Sequence, residues 1–179
     1  MAELLEVSQV GNPILRQIAQ PIDRLNESIQ TLIDNLMETL LQSNGVGIAA
    51  PQVAASYRLV IIASHPNPRY PNAPEMEPTV MINPRIISAS NEIVKDWEGC
   101  LSVPGIRGLV PRYSAIAIEY CDRQGKIQQQ QLTDFVARIF QHELDHLNGM
   151  VFLDRLETNL DIVTDQEYLK LLAIEPDLS

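Results

Sequence analysis

One segment, residues 134–148, restricts the possible folds of this 179-residue chain more than any other. Its spacing predicts a helix on which apolar side chains cover most of the circumference: Phe135, Val136, Ile139, Phe140, Leu144 and Leu147. Only Arg138, Glu143 and Asp145 interrupt that apolar surface along the body of the helix. A helix that is apolar nearly all round is stable only when other elements enclose it. We therefore expect it to run through the middle of a domain.

The same helix carries two histidines, His142 and His146, in the segment HELDH. A spacing of four residues places both imidazoles on one side of a helix, about 5–6 Å apart at Cβ, where they can share a metal ion. Glu143 follows the first histidine directly, which suits a general base beside a metal site. Catalytic zinc-type sites usually take three protein ligands, so the sequence predicts a third ligand elsewhere.

Two candidates for the third ligand have weak support from their surroundings. His65 is the remaining histidine and lies in a proline-rich segment without a supporting pattern. Glu167 would make the chain a gluzincin-like metallopeptidase with His142 and His146, but its neighbours are polar, as around a solvated charge.

Cys100 is the third candidate, in the segment DWEGCLSVPG at 96–105. A thiolate with two imidazoles is a known catalytic ligand set for zinc or ferrous iron. Gly99 and Pro104-Gly105 predict that the thiol sits on a shaped loop. Cys121, by contrast, is expected to be a small buried hydrophobe.

Composition excludes several classes of function. The chain has 13 Lys+Arg against 23 Asp+Glu, a net charge of −10, so no basic surface exists to displace counterions from nucleic acid. No segment reaches ~18 uninterrupted apolar residues, and the N-terminus lacks the regions of a signal peptide. The sequence thus predicts a single cytoplasmic domain over residues 1–179, with reduced cysteines and no membrane or nucleic-acid partner.

Local patterns predict the remaining elements. Apolar residues recur with helical period over 25–41, and Asn44-Gly45 ends that helix with residues that tolerate a left-handed turn. Thr133 or Asp134 can cap the helix that carries the histidines, and Gly149 can end it. Three segments rich in β-branched residues predict strands, the last continuing through a turn into a hairpin: 58–64, 80–88 and 114–122. Five prolines predict an irregular surface loop over 65–78.

Three segments together resemble the signature motifs of the peptide deformylase family: GVGIAAPQ (45–52), EGCLS (98–102) and QHELDH (141–146). Their order and spacing match, and the resemblance covers nearly the whole chain. It implies an α+β fold in which a central metal-binding helix is enclosed by antiparallel β-sheets, with an N-terminal amphipathic helix. It also implies removal of the formyl group from the N-terminal formylmethionine of new polypeptides, with Cys100 as the third metal ligand.

The resemblance also implies the cofactor and the catalytic roles. The ion would be Fe²⁺, with Zn²⁺, Ni²⁺ or Co²⁺ able to occupy the same site. Glu143 would take a proton from the activated water and pass it to the leaving amine. The side-chain amide of Gln52 and the backbone N–H of Leu101 would stabilise the oxyanion.

Substrate contacts are expected on two segments. Gly45 and Gly47, on either side of Val46, permit close backbone approach, so a peptide can pair there as an added strand. Phe135 and Ile139 are expected to wall a pocket for the methionine side chain.

Two ion pairs are predicted beside the site, Asp145 with Arg112 and Glu98 with Arg107. The implied partners are formyl-Met nascent polypeptides. The resemblance leaves transient ribosome association open, but residues 171–179, LLAIEPDLS, are acidic and apolar and do not favour docking through a basic C-terminal extension. A non-catalytic peptide- or metal-binding relative stays open as an alternative, although such a protein would not need Glu143 as a general base.

Overall fold

The computed structural model describes residues 2–174, in which three α-helices and two antiparallel sheets form an α+β fold. The helices are α1 (Glu27–Gln42), α2 (Asp134–Leu147) and α3 (Asp165–Ile174). The strands are β1 (Gly47–Ala49), β2 (Leu59–Ile62), β3 (Thr79–Ala89), β4 (Ile93–Cys100), β5 (Val103–Tyr113), β6 (Ala115–Cys121), β7 (Ile127–Thr133) and β8 (Ile162–Thr164). None of the helices in these residues is long and apolar enough to cross a membrane.

The two sheets differ in size, and the larger one is covered by a helix on each face. One has five strands in the order β1-β2-β3-β6-β7, and the other has three in the order β4-β5-β8, with antiparallel neighbours throughout. Alternate residues of β2 face opposite sides, so Leu59 and Ile61 pack with α1 while Val60 and Ile62 pack with α2. The larger sheet thus lies between these two helices.

Helix α2 is central, as its sequence predicts. It contacts β1, β2, β6 and β7 of the larger sheet and β5 of the smaller one. Even the three charged residues that interrupt its apolar surface, Arg138, Glu143 and Asp145, are buried. Thr133 is its N-cap, and after the last turn Gly149 has a positive φ of 72°.

Gly149 is needed for close packing as well as for its conformation. A Cβ at this position would lie 2.6 Å from the carbonyl oxygen of Arg16, so no larger residue fits without displacing the chain.

Helix α1 confirms the helix that the apolar periodicity over 25–41 predicts. The side chain of Asn26 accepts a hydrogen bond from the backbone N–H of Ile29, which caps the helix start. Its buried face packs against the larger sheet through Ile29, Ile33, Leu36 and Leu40. The chain then turns through Asn44, whose φ is 52°.

The predicted strands are also present, and β6 and β7 form the predicted hairpin. The segment 65–78 contains no helix or strand of the sheets. Cys121 is only partly buried, and it packs against the apolar cluster under α1.

The prediction of a loop around Cys100 is wrong, because this segment is a β-hairpin. Strand β4 ends at Cys100, β5 begins at Val103, and Pro104 and Gly105 lie inside β5 on its exposed side. Pro104 and Gly105 have no partner in β4, because the ladder passes from the Gly99–Arg107 pair directly to the Cys100–Val103 pair. They lie in a bulge, where a proline and a glycine with a φ of 76° are tolerated.

Candidate metal centre and active site

Three potential metal ligands meet where the end of β4 touches α2. One ligand atom from each of Cys100, His142 and His146 lies within 4.8 Å of the others. The Cys100 Sγ and the His146 Nε2 are 3.3 Å apart. Ligand atoms around a tetrahedral ion, with bonds of about 2.0–2.3 Å, stand roughly 3.3–3.8 Å apart. The Cys100–His146 separation lies in that range, and with the third ligand atom no more than 4.8 Å away the group can hold one metal ion.

Glu98 orients the first histidine. Its Oε1 is 2.8 Å from His142 Nδ1, so Nε2 is the ring nitrogen left for a metal. Glu98 also accepts hydrogen bonds from Arg112 at 2.9 and 3.0 Å and from Arg138 at 2.8 Å. Burial alone would raise the pKa of Glu98, but Arg112 and His142 outweigh it and hold that pKa well below its usual value.

The predicted pair of Glu98 with Arg107 is wrong, and strand geometry gives the reason. Arg107 is opposite Gly99 in the β4–β5 ladder, whereas Glu98 is opposite Gly108. Neighbouring residues of a strand point to opposite faces, so Glu98 and Arg107 lie on different faces of the hairpin.

Arg107 instead occupies the space that Gly99 leaves free. A Cβ on Gly99 would be 2.4 Å from the guanidinium carbon of Arg107. The guanidinium donates hydrogen bonds to Asp165 at 2.8 Å and to the Tyr70 hydroxyl at 2.8 Å.

The predicted pair of Asp145 with Arg112 is confirmed, with a hydrogen bond of 2.6 Å. Asp145 also accepts a hydrogen bond of 2.7 Å from Arg155. A chain of hydrogen-bonded side chains therefore runs from His142 through Glu98, Arg112 and Asp145 to Arg155 near the surface.

Glu143 is buried beside the potential metal ligands and has one carboxylate oxygen that is unpartnered within the described part of the chain. Its side chain is 4% exposed, and its Oε2 has no hydrogen-bond partner among the described residues. Burial raises the pKa of Glu143 to about 7, although the nearby His142 opposes the shift. A carboxyl group with a pKa near neutrality can both accept and return a proton. The buried Nδ1 of His146 is likewise without a partner, so two unsatisfied polar atoms mark this site.

Gly47 lets strand β1 lie directly against Glu143. A Cβ at Gly47 would be 2.5 Å from the Oε1 of Glu143 and 2.8 Å from a methyl carbon of Ile139. The glycine expected to admit a peptide backbone therefore also makes room for the carboxylate.

The two predicted oxyanion donors lie beside Cys100. Gln52 is 1% exposed, and its Oε1 accepts a hydrogen bond from the backbone N–H of Ala49 at 2.8 Å. That contact directs its Nε2 toward Ser102 Oγ at 3.1 Å and Cys100 Sγ at 3.5 Å. Leu101 follows Cys100 in the hairpin turn.

One pocket brings together nearly all residues predicted for the site. Its lining includes Gly45, Val46, Gly47, Gln52, Cys100, Leu101, Phe135, Ile139, His142 and Glu143. His146 lies beneath it, adjacent to Cys100. Phe135 and Ile139 are therefore placed where a side chain entering the pocket would meet them.

Sequence reasoning missed the contribution of the proline-rich loop. Asn67, Arg69 and Tyr70 line the pocket, and the Tyr70 ring centroid is 4.8 Å from that of Phe135. The Tyr70 hydroxyl also accepts a hydrogen bond of 3.3 Å from the backbone N–H of Gly99. The one local signal was an aromatic residue within a polar, proline-rich segment, which does not reveal what it contacts.

The other candidate ligands lie elsewhere. Glu167 is exposed on α3 and pairs with Lys170 at 2.7 Å. The ring nitrogens of His65 contact the carbonyl oxygen of Ala63 and the side chain of Asn44. The gluzincin-like alternative is therefore wrong.

Comparison with known proteins gives a consistent result. The polypeptide deformylase family model matches residues 4–160. Peptide deformylase 2 of a Nostoc species is 63% identical over 172 residues, which cover 96% of this chain and 96% of that protein. Peptide deformylase 2 of Shewanella oneidensis is 44% identical over 84% of this chain and 83% of its own length.

Solved structures show the same similarity. The Met-Ala-Ser-bound class I type b peptide deformylase from Acinetobacter baumannii has a TM-score of 0.85 and 46% identity, covering 87% of this chain and 100% of that one. The peptide deformylase from Synechococcus elongatus in complex with actinonin has a TM-score of 0.78 and 32% identity, with coverages of 97% and 91%.

Proposed function

We propose that Cys100, His142 and His146 hold the catalytic metal ion, because the chain belongs to the peptide deformylase family. It is a metal-dependent hydrolase that removes the formyl group from the N-terminal formylmethionine of newly made polypeptides. The main support for this assignment is that the three ligand atoms lie within 4.8 Å of one another, beside the unpartnered carboxylate oxygen of Glu143.

The reaction cleaves a formamide and releases formate. When bound, the ion supplies a Lewis acid that lowers the pKa of a coordinated water toward about 7. Glu143 takes a proton from the attacking water and delivers it to the methionine nitrogen as the C–N bond breaks. Its raised pKa and unpartnered Oε2 suit both transfers.

Gln52 and Leu101 stabilise the charge that develops on the formyl oxygen. The Gln52 Nε2 and the Leu101 backbone N–H donate to that oxygen, and each donor is worth about 3–4 kcal/mol in comparable sites. The contact of Gln52 Oε1 with Ala49 supports this role, because it holds the amide with its nitrogen toward Cys100.

A peptide substrate binds along the edge of the larger sheet. Strand β1 is an edge strand, so the segment of Gly45, Val46 and Gly47 can pair with an extended chain. Such pairing reads the peptide backbone and tolerates varied side chains. The methionine side chain then enters the pocket beside Phe135 and Ile139.

We infer that the native ion is Fe²⁺. A thiolate with two imidazoles suits ferrous iron and zinc alike, so Zn²⁺, Ni²⁺ or Co²⁺ can occupy the same ligands. Metal analysis of protein purified without oxygen identifies the resident ion.

The remaining proposals concern the whole chain. Residues 1–179 act as one catalytic domain in the cytoplasm, where translating ribosomes release formyl-Met chains. Residues 171–179 carry no basic side chain, so docking through a basic segment there is not part of the proposal. Of that segment, 175–179 lie outside the described residues.

One experiment tests the function as a whole. Protein purified anaerobically is analysed for metal and then assayed for formate release from formyl-Met-Ala. We expect one divalent ion per chain and catalytic formate release. Bound metal without formate release would favour a non-catalytic relative.

A further inference from the structure

A second cavity lies next to the catalytic pocket, along the β4–β5 hairpin. This exit groove, of about 190 Å³, is bordered by Arg69, Leu101, Pro104, Gly105, Ile106 and Asp165. It shares Arg69, Cys100 and Leu101 with the catalytic pocket, so the two cavities are adjacent. A polypeptide that places its first residue in the pocket can leave through this groove.

Of the charged side chains that border the exit groove, Asp165 is in an ion pair and Arg69 is not, in the part of the chain that the structure describes. Asp165 is paired with Arg107 at 2.8 Å, so neither is a free charge. Arg69 takes part in no ion pair within residues 2–174, and its Nη2 donates a hydrogen bond of 3.2 Å to the carbonyl oxygen of Asn44. A guanidinium has five N–H donors, so most of those of Arg69 remain for another acceptor.

The backbone of Arg69 is fixed on both sides. Its N–H donates to the side chain of Asn67 at 2.9 Å, and its carbonyl oxygen accepts from the Tyr168 hydroxyl at 3.1 Å. The cation therefore stands at the junction of pocket and groove on an ordered support, which reduces the entropy lost when it binds a partner.

We propose that Arg69 makes the enzyme favour polypeptides with an acidic side chain at the third residue, a specificity that rests on the proposed function. In an extended chain, alternate side chains share a face. The third side chain therefore returns to the side on which methionine enters the pocket, about 6–7 Å further along. An aspartate or glutamate there accepts hydrogen bonds from the guanidinium, whereas a lysine meets a like charge.

The expected effect is modest because the pair is partly exposed to water. Exposed ion pairs correspond to about a two- to fivefold change in an equilibrium constant. We expect kcat/KM for a third-position glutamate to exceed that for glutamine by this factor, with lysine lower still. The preference should shrink at high salt, since screening weakens exposed pairs.

The test compares formate release from formyl-Met-Ala-Glu, formyl-Met-Ala-Gln and formyl-Met-Ala-Lys by the metal-loaded enzyme. Wild type should show the acidic preference, Arg69→Gln should abolish it, and Arg69→Lys should retain part of it. The matched control is Arg85→Gln, which removes an exposed arginine paired with Glu119 on the larger sheet and should keep the wild-type ratios.

Three results would overturn the inference. One is a wild-type enzyme without acidic preference, and another is a preference that survives in Arg69→Gln. The third is an equal loss for all substrates including formyl-Met-Ala, which would give Arg69 only a structural role in the loop. Failure of wild type to deformylate formyl-Met-Ala at all would instead overturn the proposed function.

Discussion

At the scale of single residues, the site combines charges that are fully compensated with a few polar atoms that are not. Glu98 accepts hydrogen bonds from two arginines and a histidine, which offsets the cost of burying its charge. Glu143 Oε2 and His146 Nδ1 have no partner in the described residues. Buried polar groups are nearly always satisfied, so these two atoms indicate where water, metal or substrate completes the structure.

Replacement of the thiolate ligand should remove the metal. We expect Cys100→Ala to lose stoichiometric metal binding, because two imidazoles alone do not hold a catalytic ion. Glu167→Ala should bind metal normally, since Glu167 pairs with Lys170 on an exposed helix. Metal analysis of both purified variants checks this, and the reverse pattern would contradict the ligand assignment.

Replacement of Glu143, the proposed general base, should separate metal binding from turnover. Glu143→Gln has nearly the same shape but cannot accept a proton from water. We expect full metal content and a loss of roughly 10²–10⁴-fold in kcat. Formate release near the wild-type rate would exclude Glu143 as the base.

Exposure to air should distinguish iron-loaded protein from the zinc- and nickel-loaded forms, because Cys100 becomes oxidised only beside iron. Iron-loaded protein is expected to lose activity in air as the thiolate becomes oxidised, whereas zinc-loaded protein is expected to survive because zinc has no redox chemistry. Nickel-loaded protein should resemble the zinc form. Intact mass measured alongside formate release should show added oxygen only in the iron sample. Equal survival of all three samples would remove this argument for iron.

At the scale of elements, the site depends on how closely three backbone segments approach one another. Strand β1 lies against α2 because Gly47 has no side chain. The β4–β5 hairpin brings Cys100 to the histidines, and the loop over 65–78 closes the pocket from a third side. Each approach is made by a different part of the chain, so small backbone shifts in any of them displace reacting groups.

Gly47→Ala should test the approach of β1 to α2. The new Cβ would lie 2.5 Å from Glu143 Oε1, so the strand or the carboxylate must move. We expect kcat to fall by about 10-fold or more, since misplacement of about 1 Å can cost 10²-fold. Gly45→Ala is the matched control with a smaller expected loss, because its Cβ would meet a flexible Leu40 methyl at 3.0 Å. Equal losses would argue against contact with Glu143 as the cause.

At the scale of the whole molecule, buried ion pairs connect the smaller sheet to α2. Arg112 on β5 binds Glu98 on β4 and Asp145 on α2, and Arg155 binds Asp145 from the segment after α2. The same chain of contacts ends at His142. The stability of the fold and the orientation of His142, a proposed metal ligand, therefore depend on one set of side chains.

Asp145→Asn should lower the free energy of unfolding by about 3–5 kcal/mol, because it leaves the buried charge of Arg112 less compensated. Urea unfolding of the metal-loaded variant checks this against wild type. Glu119→Gln, which breaks the exposed pair with Arg85, is the control, with a much smaller expected cost. Equal costs for the two variants would contradict a special role for the buried chain.

The sequence by itself determined the elements whose signal is local. Helical period defines α1 and α2, and the same period places His142 and His146 on one side of α2, because both depend only on residues a few positions apart. Similarity of three short motifs predicted the third ligand and identified the reaction. Tertiary structure decided which distant groups meet: Glu98 with His142 instead of Arg107, and Tyr70 with Phe135 across the pocket. Those contacts depend on strand register and on the path of an irregular loop, which long-range packing sets and no local pattern encodes.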